Sequence, residues 1–146
     1  MSQKELKFSI VSNSETHARA TVNIREFNFI VDEPEALGGT NQAPNPVEYL
    51  LAGYAGCLNV VAHITARELG ITPKGLKIAI EGGINPDRLL GKSFDDRAGY
   101  KNLEVKLTTS NTIHQGLKIK WLKEIELRCP VNDNLQNPTP VKLSIN

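Results

Sequence analysis

Asn45-Pro46-Val47-Glu48-Tyr49-Leu50-Leu51-Ala52-Gly53-Tyr54-Ala55-Gly56-Cys57-Leu58 is the stretch on which the reading of this chain turns. Asn45 suits an N-cap, Pro46 the first helical position, and Glu48 the place of a capping-box carboxylate. The spacing predicts a helix from there to about Leu69, stopped by Gly70 and Pro73. From Tyr49 to Ala66 it carries 18 residues without a formal charge, so it is apolar nearly all round. Such a helix must be covered on every side. Each mid-helix glycine costs about 1 kcal/mol relative to alanine. Gly53 and Gly56 are easier to understand if another backbone approaches them, and a second copy of the same helix across a dimer axis would do so. The sequence therefore predicts a homodimer with crossed central helices.

Working outward from that helix, Leu6 to Val11 reads as a strand and Ser12-Asn13-Ser14-Glu15 as a turn. Arg19 to Val31 alternates with a phase slip between Ile24 and Phe27, which predicts a bulge or a break into two strands. Asp32 to Asn45 is a loop dense in Pro and Gly. Beyond the helix, Leu76 to Glu81 and Leu103 to Leu107 alternate as strands. The polar run between them has room for a short helix at Asp87 to Leu90. Ile113, Leu117, Trp121 and Ile125 recur at helical spacing, and Leu122 and Leu127 do so more weakly. This second, amphipathic helix should end near Cys129, because a residue before proline is pushed out of the α region. Val141, Leu143 and Ile145 predict a closing strand. The order β, β, α, β, β, α, β is that of an α+β fold, with residues 1–146 as a single domain.

Composition narrows the function classes. The 146 residues are 40% hydrophobic and 23% charged, with a net charge of +1 and interspersed signs. Nothing in this points to nucleic acid or an anionic membrane as partner. The uncharged 18 residues approach the shortest membrane span of roughly 17. Asn59 and His63 lie among them, so a buried core helix is the expectation. The start Met1-Ser2-Gln3-Lys4-Glu5-Leu6-Lys7 has no apolar h-region, which makes a cytoplasmic location the default. In a reducing cytosol a transient catalytic disulfide is allowed and a lasting structural one is not expected. His17, His63 and His114 show no metal-ligand spacing, and neither a metal nor a cofactor is expected.

The two cysteines, Cys57 and Cys129, are 72 positions apart, which excludes a C-x-x-C motif. On spacing alone Cys57 reads as a buried small hydrophobe. If the fold joins them, they make a candidate redox pair: a thiolate attacks, becomes a sulfenic acid, and a second thiol condenses it to a disulfide. Cys129 is the remaining thiol within the chain for that second role. Arg19 and Arg25 are the candidate cations beside the thiolate; Arg67 and Arg128 look like residues of helix ends. Glu48 stays open between a cap and a site residue. In one straight helix, nine residues place it on the face opposite Cys57 and roughly 13 Å away along the axis. It either only caps or serves the Cys57 of a neighbouring chain.

The stretch Val31-Asp32-Glu33-Pro34, Gly38-Gly39, Pro44 to Leu51 and Gly56-Cys57-Leu58, with Arg128-Cys129-Pro130-Val131, resembles the superfamily of osmotically inducible protein C (OsmC) and organic hydroperoxide resistance protein (Ohr). The likeness in element order spans nearly the whole chain. It departs from the organic hydroperoxide branch in that Val47 separates Asn45-Pro46 from Glu48, as in a less characterised OsmC-like branch. The loop before the helix is also shorter. The resemblance implies an OsmC-like α+β fold, with strands flanking a long buried central helix, as an intertwined homodimer with active sites at the interface. It implies a peroxiredoxin-like thiol peroxidase of oxidative or osmotic stress defence, acting on organic hydroperoxides and recharged by a dithiol, lipoyl-type in this family. On the matching positions, the catalytic residues would be Cys57 (peroxidatic), Cys129 (resolving), Glu48 and Arg19, with Arg19 a better match than Arg25. An apolar wall of Leu50, Leu51, Leu58 and Trp121 would favour alkyl peroxides. The rival reading is a dimeric redox sensor, or a protein that binds an apolar small ligand, without peroxide turnover.

Overall fold

A computed structural model describes residues 4–146; of the amino-terminal stretch, Met1, Ser2 and Gln3 lie outside the described residues. The chain divides into two compact units, Met1–Leu51 and Ala52–Asn146. The first unit is a three-stranded antiparallel sheet in the order β1-β2-β3, with β1 at Val11–Ser14, β2 at Ala20–Ile24 and β3 at Phe27–Val31. The phase slip is a break into two strands: Ile24 pairs with Phe27 across the two-residue turn Arg25-Glu26. Arg25 takes a φ of 52°, the left-handed value that a hairpin turn of this length demands at its first central position.

After β3 the chain closes a loop around one carboxylate. Asp32 is fully buried. It accepts the amides of Glu33 (2.8 Å), Thr40 (3.3 Å) and Gln42 (3.2 Å) and the Thr40 hydroxyl (2.5 Å). Gly39 completes the turn by close approach, since a Cβ there would stand 1.9 Å from the Glu33 carbonyl oxygen. Helix α1, Pro46–Glu68, then starts on a reciprocal capping box: Asn45 Oδ1 accepts from the Glu48 amide at 2.9 Å, and Glu48 Oε2 from the Asn45 amide at 3.0 Å. Tyr49 anchors this first turn to β3, its hydroxyl donating to the Ile30 carbonyl at 2.7 Å.

The second unit holds the remainder of α1, the antiparallel pair β4 (Lys77–Gly82) and β5 (Leu103–Thr108), and helices α2 (Gln115–Arg128) and α3 (Pro130–Gln136). Ile78 and Ile80 of β4 stand opposite Leu107 and Val105 of β5 on the inner face, with Lys77 and Glu81 outward. One side of α1 buries Tyr54, Leu58, Val61, Ala62, Thr65 and Ala66 against Trp121 and Ile125 of α2. Trp121 donates its indole N–H to the Ala62 carbonyl at 2.8 Å, so its one polar atom is satisfied inside the core. Gly70, at φ 71°, ends α1, and the Ile71 amide turns back to the Ala66 carbonyl at 2.8 Å. Among the described residues, three α-helices and two small antiparallel sheets make this an α+β fold.

Several expectations are corrected. The first strand is Val11–Ser14, so Ser12, Asn13 and Ser14 belong to a ladder and not to a turn, and residues 6–10 form no ladder. Val141, Leu143 and Ile145 form no strand among the described residues and are 77%, 93% and 100% exposed. The alternation is there, but a strand exists only as one side of a hydrogen-bonded ladder, and none of the described residues supplies the other. Covering of α1 on every side is also not met within the chain. Its outward face exposes Ala52, Gly53, Gly56, Asn59, Val60, His63 and Ile64, and nothing lies within 4 Å of a Cβ built on Gly53 or Gly56. By length and composition α1 could cross a membrane, but its inner face is the core of the second unit. Residues 86–91 form turns instead of a short helix.

Candidate active site

Cys57 sits on α1 one turn after Tyr54, on the face that packs into the core. Cys129 occupies the single residue between α2 and α3. Pro130 pushes it out of the helical region, to φ −79° and ψ 113°. Cys129 thereby serves two helices. Its backbone N–H closes α2 on the Ile125 carbonyl, and its Sγ caps α3 by accepting from the Asn132 amide at 3.4 Å. That corner carries Cys129 Sγ to 2.9 Å from Cys57 Sγ, with both cysteines as free thiols. A disulfide bond is about 2.05 Å long, so joining the sulfurs asks for only a small approach.

The two thiols are not equivalent. Cys129 is 1% exposed, whereas Cys57 is half-buried. Burial raises the pKa of Cys129 above its ordinary value, and the neighbouring Cys57 adds to this; the amides of Asn132 and Val131 oppose it. Cys129 is therefore held protonated around neutral pH. Tyr54 shares the surroundings. Its pKa is raised by burial first, then by the charges that Cys129, Glu126 and Cys57 would carry. Its hydroxyl donates to Asn132 Oδ1 at 2.6 Å, and Asn132 Nδ2 donates to the Glu126 carbonyl at 3.1 Å.

Arg19, Glu48 and Arg25 belong to the first unit. The Arg19 guanidinium donates to Gln42 Oε1. Its Nε lies 2.9 Å from Glu15 Oε2, an ion contact whose direction falls short of a hydrogen bond. Glu48 spends its carboxylate on the Asn45 amide and forms no ion pair with Arg19. Arg25 stands in the hairpin turn with its guanidinium 5.1 Å from the centre of the Phe27 ring. Trp121 lines a cleft of about 600 Å³ between β5 and α2, whose lining includes neither cysteine. Among the described residues, no three His, Cys, Asp or Glu side chains gather as metal donors.

The residues that sequence reasoning missed are those holding the thiols and the loop. Tyr54 was quoted as part of an apolar helix, although it lies three residues, hence one turn, from Cys57. Asn132 could have been found from Pro130, which marks a first helical position and makes Cys129 an N-cap. Asp32 gave no local signal, because its partners Thr40 and Gln42 lie eight and ten residues on.

Residues 39–144, from the glycine of the Asp32 loop to the chain's last residues, match the family model described as OsmC-like protein. The chain belongs to the OsmC-like protein family. Solved structures agree on the OsmC-like fold. An OsmC-like protein from Mycoplasma pneumoniae superposes with a TM-score of 0.76 at 20% identity, covering 92% of this chain and 91% of that one. An organic hydroperoxide resistance protein OsmC from Legionella pneumophila gives 0.68 at 16%, covering 92% of each. The organic hydroperoxide resistance protein OhrB of Bacillus subtilis gives 0.65 at 16%, covering 91% and 93%. A search of curated proteins finds no match.

Proposed function

We propose that this OsmC-like protein is a thiol peroxidase that reduces organic hydroperoxides in stress defence. The observation that carries the reading is the 2.9 Å approach of Cys57 Sγ to Cys129 Sγ, one thiol half-buried and the other fully buried. The Cys57 thiolate attacks the terminal oxygen of the hydroperoxide, the O–O bond breaks, and the alkoxide takes a proton to leave as the alcohol. Cys57 becomes a sulfenic acid. The Cys129 sulfur attacks the Cys57 sulfur, forming the disulfide and releasing water. An external dithiol, of lipoyl type on the family resemblance, reduces the disulfide and is itself oxidised. Arg19 is assigned the cation beside the thiolate, and Glu48 its orientation, on that resemblance alone.

We also infer that the working form is a homodimer. The exposed face of α1, with its two open glycines, supports this, as do the exposed apolar rows Leu6, Phe8, Ile10 and Val141, Leu143, Ile145.

Turnover tests the enzyme reading. With cumene hydroperoxide and dihydrolipoamide, the wild type should consume many equivalents of peroxide per chain, and Cys57→Ser none. Cys129→Ser should still form the sulfenic acid, trapped with dimedone, but no intramolecular disulfide. A single oxidation per chain, with no repeated consumption, would instead make the protein a sensor. Thiols that react only after denaturation would make both cysteines structural.

A further inference from the structure

Asn132 bonds through its backbone N–H and both side-chain polar groups beside the thiol pair, and this goes beyond a helix cap. It is 8% exposed, and Tyr54 is 7% exposed. The Asn132 amide donates to Cys129 Sγ, its Oδ1 accepts the Tyr54 hydroxyl, and its Nδ2 donates to the Glu126 carbonyl in the last turns of α2. Tyr54 and Cys57 lie one turn apart on α1; Cys129 and Asn132 lie one turn apart at the start of α3. The Tyr54–Asn132 bond therefore ties the two cysteine-bearing segments together beside the two sulfurs. Buried polar groups are expensive unless bonded, so this chain of bonds holds one arrangement and not a family of them.

We propose that Tyr54 and Asn132 are positioning residues for the resolving step, holding Cys129 Sγ against Cys57 so that the sulfenic acid is captured as a disulfide before a second peroxide reaches it. The proposal rests on the peroxidase reading above. Two fates compete for the Cys57 sulfenic acid. Condensation with the Cys129 thiol gives the disulfide and water. A second hydroperoxide instead transfers an oxygen to the sulfur, giving the sulfinic acid and another alcohol. The first fate depends on where Cys129 Sγ stands; the second does not. The ratio of the two products therefore reports on position and is independent of how fast the sulfenic acid was made.

The experiment is intact-mass analysis of the full chain after reaction with excess cumene hydroperoxide and no reductant. The ratio of disulfide (loss of two hydrogens) to sulfinic acid (gain of two oxygens) is read out. Tyr54→Phe keeps the ring and removes only the hydroxyl; Asn132→Ala removes the amide. Each should shift the ratio toward sulfinic acid by roughly ten-fold, short of the roughly hundred-fold that a full 1 Å misplacement of a reacting group can cost. The double variant should shift it no further than Asn132→Ala alone, because that substitution already breaks the Tyr54 bond. Ile71→Val, in the same core but bonded to neither cysteine nor to this chain of bonds, controls for lost stability and should leave the ratio as in the wild type. Tyr54→Phe is the decisive variant if Asn132→Ala fails to fold. A wild-type ratio in Tyr54→Phe would overturn the positioning role alone. A wild type that forms no Cys57–Cys129 disulfide would overturn the peroxidase reading, and this inference with it.

Discussion

At the scale of single residues, the physics of the candidate site is the burial of one thiol beside a less buried one. Because the folded Cys129 pKa is raised above the unfolded value of about 8.5, its neutral form contributes stability below that pH. This contribution is lost as pH rises through the folded value. The stability gap between wild type and Cys129→Ser should therefore narrow above about pH 8.5, as read from urea midpoints. The resolving step should behave oppositely. Disulfide formation from a preformed sulfenic acid should accelerate with pH up to the elevated Cys129 value, because the thiolate is the nucleophile. Stopped-flow tryptophan fluorescence or quenched mass analysis would show this, and a flat profile from pH 7 to 9 would contradict it. Asp32 carries the other sign. The Thr40 hydroxyl first, with the amides of Glu33, Gln42 and Thr40, holds its carboxyl well below the usual range, against the cost of burial. That stability is present above about pH 3.9 and is lost as pH falls through the lowered folded value. Asp32→Asn should flatten the acid limb of a stability-versus-pH curve.

Elements bring caps and turns into view. Asn45→Ala removes the side-chain half of the α1 capping box and should destabilise the protein by about 1 kcal/mol, measured by denaturant unfolding. Arg25→Gly should do the reverse. Its φ of 52° is strained for a side-chain residue and free for glycine, so a gain of about 0.5–1 kcal/mol is expected. It should leave peroxide consumption intact if Arg19 is the site cation. A loss of turnover in Arg25→Gly would return Arg25 to the site. How much was legible at this scale follows from where the signals sit. The α1 start could be read because Asn45, Pro46 and Glu48 are neighbours in the chain. Helix α3 gives no such signal, because Pro130 reads in the sequence as the end of one helix and is also the first residue of the next.

For the whole molecule, the open question is what covers the apolar faces that one chain exposes. A homodimer predicts a sedimenting mass twice the 16.1 kDa of the chain. Gly53→Leu should shift the protein toward monomer, since a side chain there would occupy the space a second helix needs. Leu143→Asp should do the same if the carboxy-terminal row pairs with a second copy. Both are checked by analytical ultracentrifugation, and variants that remain dimeric would place the interface elsewhere.

What the sequence by itself determined is whatever local chemistry dictates: the capped α1, the break at Ile24 and Phe27, the alternating β4 and β5, and the non-helical Cys129 before Pro130. Each depends on residues within a few positions of one another, where sterics and periodicity act directly. Tertiary structure alone decided the meeting of Cys57 with Cys129, the Tyr54–Asn132 bond, the burial of Asp32 and the absence of a ladder at residues 141–145. Those depend on which surfaces distant segments offer each other. Alternation at Val141, Leu143 and Ile145 could announce readiness to pair but not the presence of a partner, just as a thiol at position 57 could not announce its neighbour 72 residues away.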